Sequence, residues 1–326
     1  MGRHASALDR ETALGRVIAV TNDKGGVGKT SIVANLGGQL AAANYRVLLV
    51  DLNRQANLAD DLGIRESPVD DQGDGLISAI VLDGKHQLPV ASGVRPNLDV
   101  VCGGTRLEAL TPLMVSKTMG AGVGSNEPSP FLALADVLVP VAQHYDVVLI
   151  DCPPENFILT DLALAAARWV IMPTKTDLGG LVGMRLVAER FAKAKEINPL
   201  LGLLGAVLFG TGTKSTAIHT EARDSITKAF GGNSPLFTTM VRHAERTAQD
   251  ARRLGKLAHE LEVEAMSQPA WWELLRRGAR AKAGVSMTAA SVASDYRELA
   301  FEVLTVLRSM EESAAEPAGT QRRNAS

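Results

Sequence analysis

The chain has 326 residues, 46% of them hydrophobic and 4% aromatic, and a formal net charge of −2. This length and apolar content suit one α/β domain whose core is built from Ala, Leu and Val rather than from aromatic rings. Two cysteines, Cys102 and Cys152, are too few for a disulfide framework and favour a reducing cytoplasm. No apolar run reaches the ~18–20 residues of a membrane span, so we expect no membrane partner.

The first predicted elements surround a glycine-rich loop. Residues 1–14 are polar and lack a packed pattern, which predicts a flexible arm. The β-branched run Val17–Val20 is typical of a buried strand in a parallel sheet. From Thr30 to Ala43 apolar residues recur at helical spacing without proline, which predicts a helix.

The loop between them, Asp23-Lys24-Gly25-Gly26-Val27-Gly28-Lys29-Thr30, matches most of a Walker A motif. In such loops backbone N–H groups cradle phosphates, the lysine reaches the β- and γ-phosphates, and the hydroxyl binds Mg²⁺. The first turn of the following helix adds donors for an anion. The predicted nucleotide-binding residues are Gly25, Gly26, Val27, Gly28, Lys29, Thr30 and Ser31.

Two further predicted strands end in aspartates. Residues 46–50 precede Asp51, and residues 146–150 precede Asp151. The carboxyl ends of parallel strands meet at the edge where doubly wound folds bind ligands. Because Mg²⁺ keeps several waters and needs few protein carboxylates, we predict a Mg²⁺ site formed by Thr30, Asp51 and Asp151.

These motifs resemble the ParA/MinD family of ATPases with a deviant Walker A loop, and its ParA and Soj-like partition members more than MinD. The similarity rests on Lys24 ahead of the loop glycines, on Asp51, Gln55 and Asn57 after the second strand, and on Asp-Cys-Pro-Pro at 151–154. It covers roughly residues 16–260.

The resemblance implies an α/β P-loop NTPase fold with a doubly wound, mostly parallel sheet and C-terminal helices, and it implies ATP and Mg²⁺ as cofactors. In the family the extra lysine reaches the nucleotide of a partner subunit, so Lys24 joins the nucleotide-binding residues and implies a homodimer formed with ATP. The implied function is ATP hydrolysis that drives plasmid or chromosome segregation in the cytoplasm, on the nucleoid, with non-specific DNA and a ParB-like centromere-binding protein as partners.

Two residues depart from the family pattern. Asn53 stands where the family has the second switch I carboxylate, and Arg54 replaces the proline that follows. An amide can orient a water but is a far poorer proton acceptor than a carboxylate, so we expect weak, partner-stimulated hydrolysis. An ATP-locked scaffold on DNA and a neutral variant with ordinary hydrolysis are the alternatives. The predicted catalytic residues are Lys24, Lys29, Asp51 and Asn53.

Basic residues concentrate late in the chain. Between Arg242 and Lys282 nine Lys and Arg stand against six acids, a local excess in a chain of net negative charge. Family members bind DNA through basic residues of this half, and such binding is mostly phosphate neutralisation. The predicted DNA contacts are Arg242, Arg246, Arg252 and Arg253; a positioning ATPase for a non-DNA cargo is the alternative.

The predicted organisation is an ATPase domain over residues 15–311 with insertions near 112–130 and 267–289. The first insertion includes a Gly/Ser/Pro-rich linker, and the second contains Trp271 and Trp272 beside two arginines. One tryptophan could contact a partner or DNA, or both could dock the helix. Residues 312–326, rich in Ala, Glu, Pro and Ser, are predicted to be disordered.

Overall fold

The structure is a computed structural model. It describes residues 5–82, 87–120, 128–154, 156–175, 189–211, 220, 224, 227, 236–242, 244–267, 286 and 288–315. The predicted Trp271-Trp272 insertion and most of the predicted tail lie outside these residues.

An eight-stranded sheet runs through the molecule in the order β3-β4-β2-β5-β1-β6-β7-β8. Every neighbouring pair is parallel except β3 and β4, so the predicted doubly wound, mostly parallel sheet is confirmed. The strands are β1 (Val17–Val20), β2 (Val47–Asp51), β3 (Ala91–Arg95), β4 (Leu98–Val101), β5 (Val147–Asp151), β6 (Trp169–Thr174), β7 (Gly202–Thr211) and β8 (Leu236–Arg242).

Helices cover both faces of the sheet. Leu48 and Val50 of β2 join one buried apolar cluster, whereas Val47 and Leu49 join another, because successive strand residues point to opposite faces. Burial on both faces explains why these strands read as continuous apolar runs. The helices are α1 (Ala7–Ala13), α2 (Lys29–Ala42), α3 (Asn57–Leu62), α4 (Asp74–Val81), α5 (Leu110–Gly120), α6 (Ala133–Ala142), α7 (Phe157–Ala166), α8 (189–197), α9 (Glu245–Leu254), α10 (Ala258–Ser267) and α11 (Ala289–Ala315).

The amino-terminal segment differs from the flexible arm predicted for residues 1–14. Helix α1 begins at a capping box in which Ser6 and Asp9 exchange hydrogen bonds. Arg10 of α1 pairs with Asp136 of α6 at 2.6 Å, and Leu14 is buried. The helix contains no buried residue of its own, so its sequence has no apolar period, and an ion pair with a distant helix holds it in place.

Two other predicted boundaries shift. Helix α5 occupies the first half of the insertion predicted near 112–130. Helix α11 continues to Ala315, past the predicted domain end at residue 311. Its inward face carries Leu299, Val303 and Leu307, which are buried against the sheet.

Helices α3 and α9 end against each other at two glycines. Gly63 and Gly255 both have positive φ angles, 68° and 60°, and a Cβ on Gly63 would lie 2.9 Å from the Gly255 Cα. The Arg95 guanidinium donates to the carbonyls of Leu62 (3.1 Å) and Gly255 (2.8 Å) and pairs with Glu260 at 2.6 Å. The end of α3 is therefore joined to the end of α9.

Carboxylates of α11 cap the open edge of β8. The Thr238 and Thr239 N–H groups donate to Glu302 at 2.7 and 2.9 Å, and the Arg242 N–H donates to Asp295 at 3.0 Å. Unpaired N–H groups of an edge strand would otherwise be available to another strand. Helix α11 thus protects the edge as well as covering the core.

Glu302→Gln is expected to lower the free energy of unfolding by about 1 kcal/mol. The neutral amide has one acceptor oxygen where the carboxylate offers two charged ones to the Thr238 and Thr239 N–H groups. Burial would raise the pKa of Glu302, but the N–H groups of Thr238 and Thr239 outweigh it and hold the pKa below its ordinary value. The carboxylate therefore stabilises the fold above about pH 4.3 and loses this effect as the pH falls through its lower folded pKa. Urea unfolding at pH 7 and pH 3.5 measures both.

The matched control is Glu298→Gln on the same helix, where the carboxylate is exposed and bonds to Ser294. It should unfold like the unmodified protein at both pH values. An equal effect of the two substitutions would contradict edge capping by Glu302.

Candidate nucleotide and metal site

The glycine-rich loop joins β1 to α2 at the centre of the sheet. Gly26 and Gly28 have positive φ angles of 69° and 87°, which glycine adopts without strain. A Cβ at Gly25 or Gly26 would meet no atom within 4 Å, so that side of the loop is open. Gly28 is the N-cap of α2 and offers no side chain to its first N–H groups, which leaves them suited to an anion.

The Lys29 ammonium is hydrogen-bonded to backbone carbonyls at the beginning of the same loop. Its side chain is buried and donates to the carbonyls of Asn22 (2.8 Å) and Lys24 (3.0 Å). Asn22 in turn accepts from the Lys24 N–H (2.9 Å) and donates to the Pro173 carbonyl (2.7 Å). Asn22 was not among the predicted site residues; a buried amide directly after a core strand was the available signal.

The register of the sheet brings the two predicted aspartates together. Asp51 and Asp151 are direct partners at the ends of β2 and β5. The Thr30 hydroxyl donates to Asp151 Oδ2 at 2.7 Å, and the Asn53 N–H donates to Asp51 Oδ1 at 2.7 Å. The second oxygens, Asp51 Oδ2 and Asp151 Oδ1, are buried and have no hydrogen-bond partner.

This arrangement is electrostatically unfavourable without a cation. Burial, and then the neighbouring Asp151, raise the pKa of Asp51 well above its ordinary value. Burial raises the pKa of Asp151 to about 7, although the Thr30 hydroxyl and the Lys29 ammonium oppose the shift. A divalent cation would accept both unpaired oxygens and neutralise the charge.

The donor set fits Mg²⁺. Hydroxyl and carboxylate oxygens are the ligands this cation prefers, and it retains water on its other positions. Within the described ranges no group of three or more His, Cys, Asp and Glu side chains is placed to hold a metal ion. The two aspartates and Thr30 therefore suit a cation that completes its shell with water and phosphate.

Asn53 lies in a buried turn. It is 5% exposed, and its Oδ1 accepts the Gln55 N–H at 3.0 Å. Arg54 points outward and pairs with Glu108. Asn53 lines a cavity of about 240 Å³, the switch cavity, together with Leu107, Thr111, Pro153, Pro154, Asn156 and Leu159 among others.

A second cavity of about 260 Å³, the loop cavity, opens directly beside the glycine-rich loop. Gly26, Gly28 and Ser31 form one wall, and the Phe209 and Tyr296 rings lie among the other lining residues. Its walls come from α2, α3, β7, β8, α9, α10 and α11, so no single sequence motif could predict it. The remaining polar lining includes Asn35, Asp61, Arg242, Glu245, Thr247 and Arg252.

The structure divides the four predicted DNA-binding arginines. Arg242 pairs with Asp295 at 2.7 Å, and Arg252 lies 3.5 Å from the buried Asp61; both line the loop cavity. Arg246 and Arg253 instead line an outer depression with Glu245, Gln249 and Asp250. In this single chain the four side chains line two different depressions.

The protein-family model described as an AAA domain matches residues 15–202 of this chain. The chromosome-partitioning ATPase Soj of Thermus thermophilus is 37% identical over 252 residues, covering 74% of this chain and 86% of the relative. The chromosome-partitioning ATPase Soj of Treponema pallidum is 30% identical, covering 70% of this chain and 83% of the relative. The chain belongs to the ParA/Soj family of ATPases.

Solved structures agree with the fold of this ParA/Soj family member. The Cyanothece McdA–ATP complex has a TM-score of 0.64 at 20% identity, with 89% of this chain and 96% of that chain covered. The septum site-determining protein MinD of Pyrococcus horikoshii, solved with Mg-ADP, has a TM-score of 0.60 at 20% identity, with 88% and 95% covered. Among the residues that the structure describes, no helix has both the length and the apolar character needed to cross a membrane.

Asp151→Asn is expected to raise the melting temperature of the nucleotide-free protein by about 2–6 °C, because a neutral amide replaces a carboxyl group whose charged form is disfavoured by burial. The same change should reduce the further rise produced by Mg²⁺ with ATP, since the cation loses a charged ligand. Differential scanning fluorimetry with and without Mg²⁺ and ATP measures both effects.

Asp146→Asn serves as the control at the start of the same strand. That carboxylate pairs with Arg46 at the surface, so its removal should not stabilise the protein. A lower melting temperature for Asp151→Asn would contradict the interpretation that the buried Asp51–Asp151 pair destabilises the nucleotide-free protein.

Proposed function

We propose that this chain is an ATP-dependent dimerising ATPase that binds DNA non-specifically and drives plasmid or chromosome segregation with a ParB-like partner. ATP and Mg²⁺ are its cofactors. The observation that carries the proposal is the pair of buried, unpartnered carboxylate oxygens of Asp51 and Asp151 beside Thr30 and the open glycine-rich loop. Family membership through relatives named for chromosome partitioning supports the cellular role.

The parts of the site take separate roles. The backbone of Gly25–Gly28 and the Lys29 ammonium hold the phosphates, with Lys29 leaving the Asn22 and Lys24 carbonyls to do so. Thr30, Asp51 and Asp151 hold Mg²⁺, which when bound neutralises charge on the β- and γ-phosphates. Ser31 lies where the loop meets the loop cavity, whose aromatic and polar lining suits a nucleoside.

Lys24 is the residue that couples ATP binding to dimer formation in this proposal. Its backbone is fixed by Asn22 and Lys29, so the side chain leaves the loop at a defined place and is partly exposed. We assign it to the nucleotide of a partner subunit, where its charge stabilises the triphosphate only in the dimer. Binding of ATP and self-association are then one event.

Lys24→Ala should retain nucleotide binding within about threefold, since Lys29 and the loop backbone remain, yet abolish the ATP-induced dimer. Light scattering with ADP, ATP and a non-hydrolysable ATP analogue reports the mass. Lys117→Ala, at a partly exposed lysine of α5, is the control and should dimerise normally. A monomeric unmodified chain at saturating ATP would contradict the assignment of Lys24.

Non-specific DNA binding is assigned to the outer face of α9. Arg246 and Arg253 line its outward depression, where Arg253 pairs with Asp250 at 2.9 Å. Arg242 and Arg252 lie beside the candidate nucleotide site and pair with Asp295 and Asp61. The expected contact is phosphate neutralisation by two dimer halves, so retention on DNA should require ATP and fall steeply with salt. The net charge of −2 and the pairing of three of the four arginines with carboxylates favour a second candidate, a positioning ATPase for a non-DNA cargo. Lack of salt-sensitive, ATP-dependent retention on DNA would support that candidate.

Asn53→Asp should raise ATP turnover by about 10- to 1000-fold, on the scale of restoring a general base. An aspartate can accept the Gln55 N–H as Asn53 does, so the turn is retained and only the charge changes. Steady-state phosphate release with DNA present measures the effect. Asn57→Asp, which adds the same charge further along, controls for charge alone.

Unchanged turnover in Asn53→Asp would contradict the slow-hydrolysis hypothesis and favour a neutral variant. If the unmodified chain stays on DNA with ATP and releases no phosphate even with its partner, the ATP-locked scaffold is the better description.

A further inference from the structure

The Arg65 guanidinium, which lies outside the candidate nucleotide site, is hydrogen-bonded to the loop that follows Asp51 and contains Asn53. Arg65 follows α3 and folds back over its beginning, where Nη2 donates to the carbonyls of Gln55 (2.6 Å) and Ala56 (2.8 Å). The same group donates to Asp60 Oδ2 at 2.8 Å, and its Nε pairs with the other carboxylate oxygen. The guanidinium therefore joins two loop carbonyls to the first turn of α3.

The gripped residues are held in an unfavourable conformation. Ala56 is completely buried and has a φ of 48°, a left-handed conformation that is unfavourable for a residue with a Cβ. Such a conformation persists only where surrounding contacts determine it. Arg65 supplies two of these contacts, and the Ala59 N–H supplies another to the Ala56 carbonyl.

A continuous set of hydrogen bonds leads from this grip to the metal site. The Asn53 N–H donates to Asp51 Oδ1, and the Gln55 N–H donates to Asn53 Oδ1. Arg65 holds the carbonyl of that same Gln55. The positions of both site residues are thus tied to a side chain that lies beyond α3.

We propose that Arg65 is a positioning residue for ATP hydrolysis, which fixes the 52–56 loop so that Asp51 and Asn53 keep the geometry that the reaction needs. The proposal rests on the ATPase activity proposed above. A displacement of about 1 Å at a catalytic group can lower a rate about 100-fold. Lysine cannot replace the two-pronged contact, because its ammonium lacks the planar fork of arginine.

Arg95 provides the matched control. It also donates to backbone carbonyls, pairs with a carboxylate and is partly buried, but it binds at the opposite end of α3. The carbonyls are those of Leu62, Val94 and Gly255. If Arg65 only stabilised this helix, loss of Arg95 would have the same consequences for turnover.

The experiment compares Arg65→Gln, Arg65→Lys and Arg95→Gln in the full chain. Steady-state kinetics give kcat and KM for ATP, scanning fluorimetry gives the melting temperature, and hydrogen exchange of peptides spanning residues 52–58 is followed without nucleotide. Arg65→Gln should lower kcat about 10- to 100-fold with KM within about threefold, and speed exchange in 52–58 by about tenfold. Arg65→Lys should lie between it and the unmodified chain, and Arg95→Gln should keep kcat and loop exchange within about threefold.

Three results would overturn the proposal: unchanged loop exchange in Arg65→Gln, unchanged kcat with faster exchange, or an equal loss of kcat in Arg95→Gln. If the unmodified chain does not hydrolyse ATP, the proposed function fails, and loop exchange still decides whether Arg65 fixes the loop.

Discussion

The register between β2 and β5 is the constraint on which the site depends. It places Asp51 beside Asp151 at the end of the sheet, where both carboxylates are buried and each keeps one oxygen without a hydrogen-bond partner. A folded protein tolerates such a pair when a ligand supplies the missing charge. The cluster of apolar residues on each face of the sheet provides the rigid frame that keeps the two aspartates side by side, with Asp151 2.7 Å from the Thr30 hydroxyl.

The C-terminal half of the chain supplies much of the lining of the loop cavity beside the glycine-rich loop. Helix α11 caps the edge strand through Glu302 and Asp295, and its Tyr296 reaches the loop cavity. Helix α9 lines that cavity with one face and carries Arg246 and Arg253 on another. Because α9 also ends against α3 at Gly255 and Gly63, the candidate nucleotide site, the 52–56 loop and the candidate DNA surface are connected through these two helices.

The two departures from the family pattern have different structural meanings. Arg54 is exposed and pairs with Glu108, so the loss of proline changes the outer rim of the switch cavity. Asn53 is buried, and its amide oxygen already serves the turn through Gln55. This hydrogen bond restricts the geometry in which the Asn53 oxygen can also meet a water, and the side chain carries no charge where the family pattern has a carboxylate.

The sequence by itself determined the class of sheet, the loop between β1 and α2, the strand-end aspartates and the family, because each is a local pattern of strand, glycine and charge. It could not predict that α1 docks through Arg10 and Asp136, since that contact joins residues far apart and leaves no apolar period. Nor could it predict the loop cavity, the Arg65 grip or the separation of the four arginines, which depend on register and on helices that meet only in space. Tertiary structure decided these features because burial and hydrogen-bond geometry, unlike residue type and spacing, are properties of the packed chain.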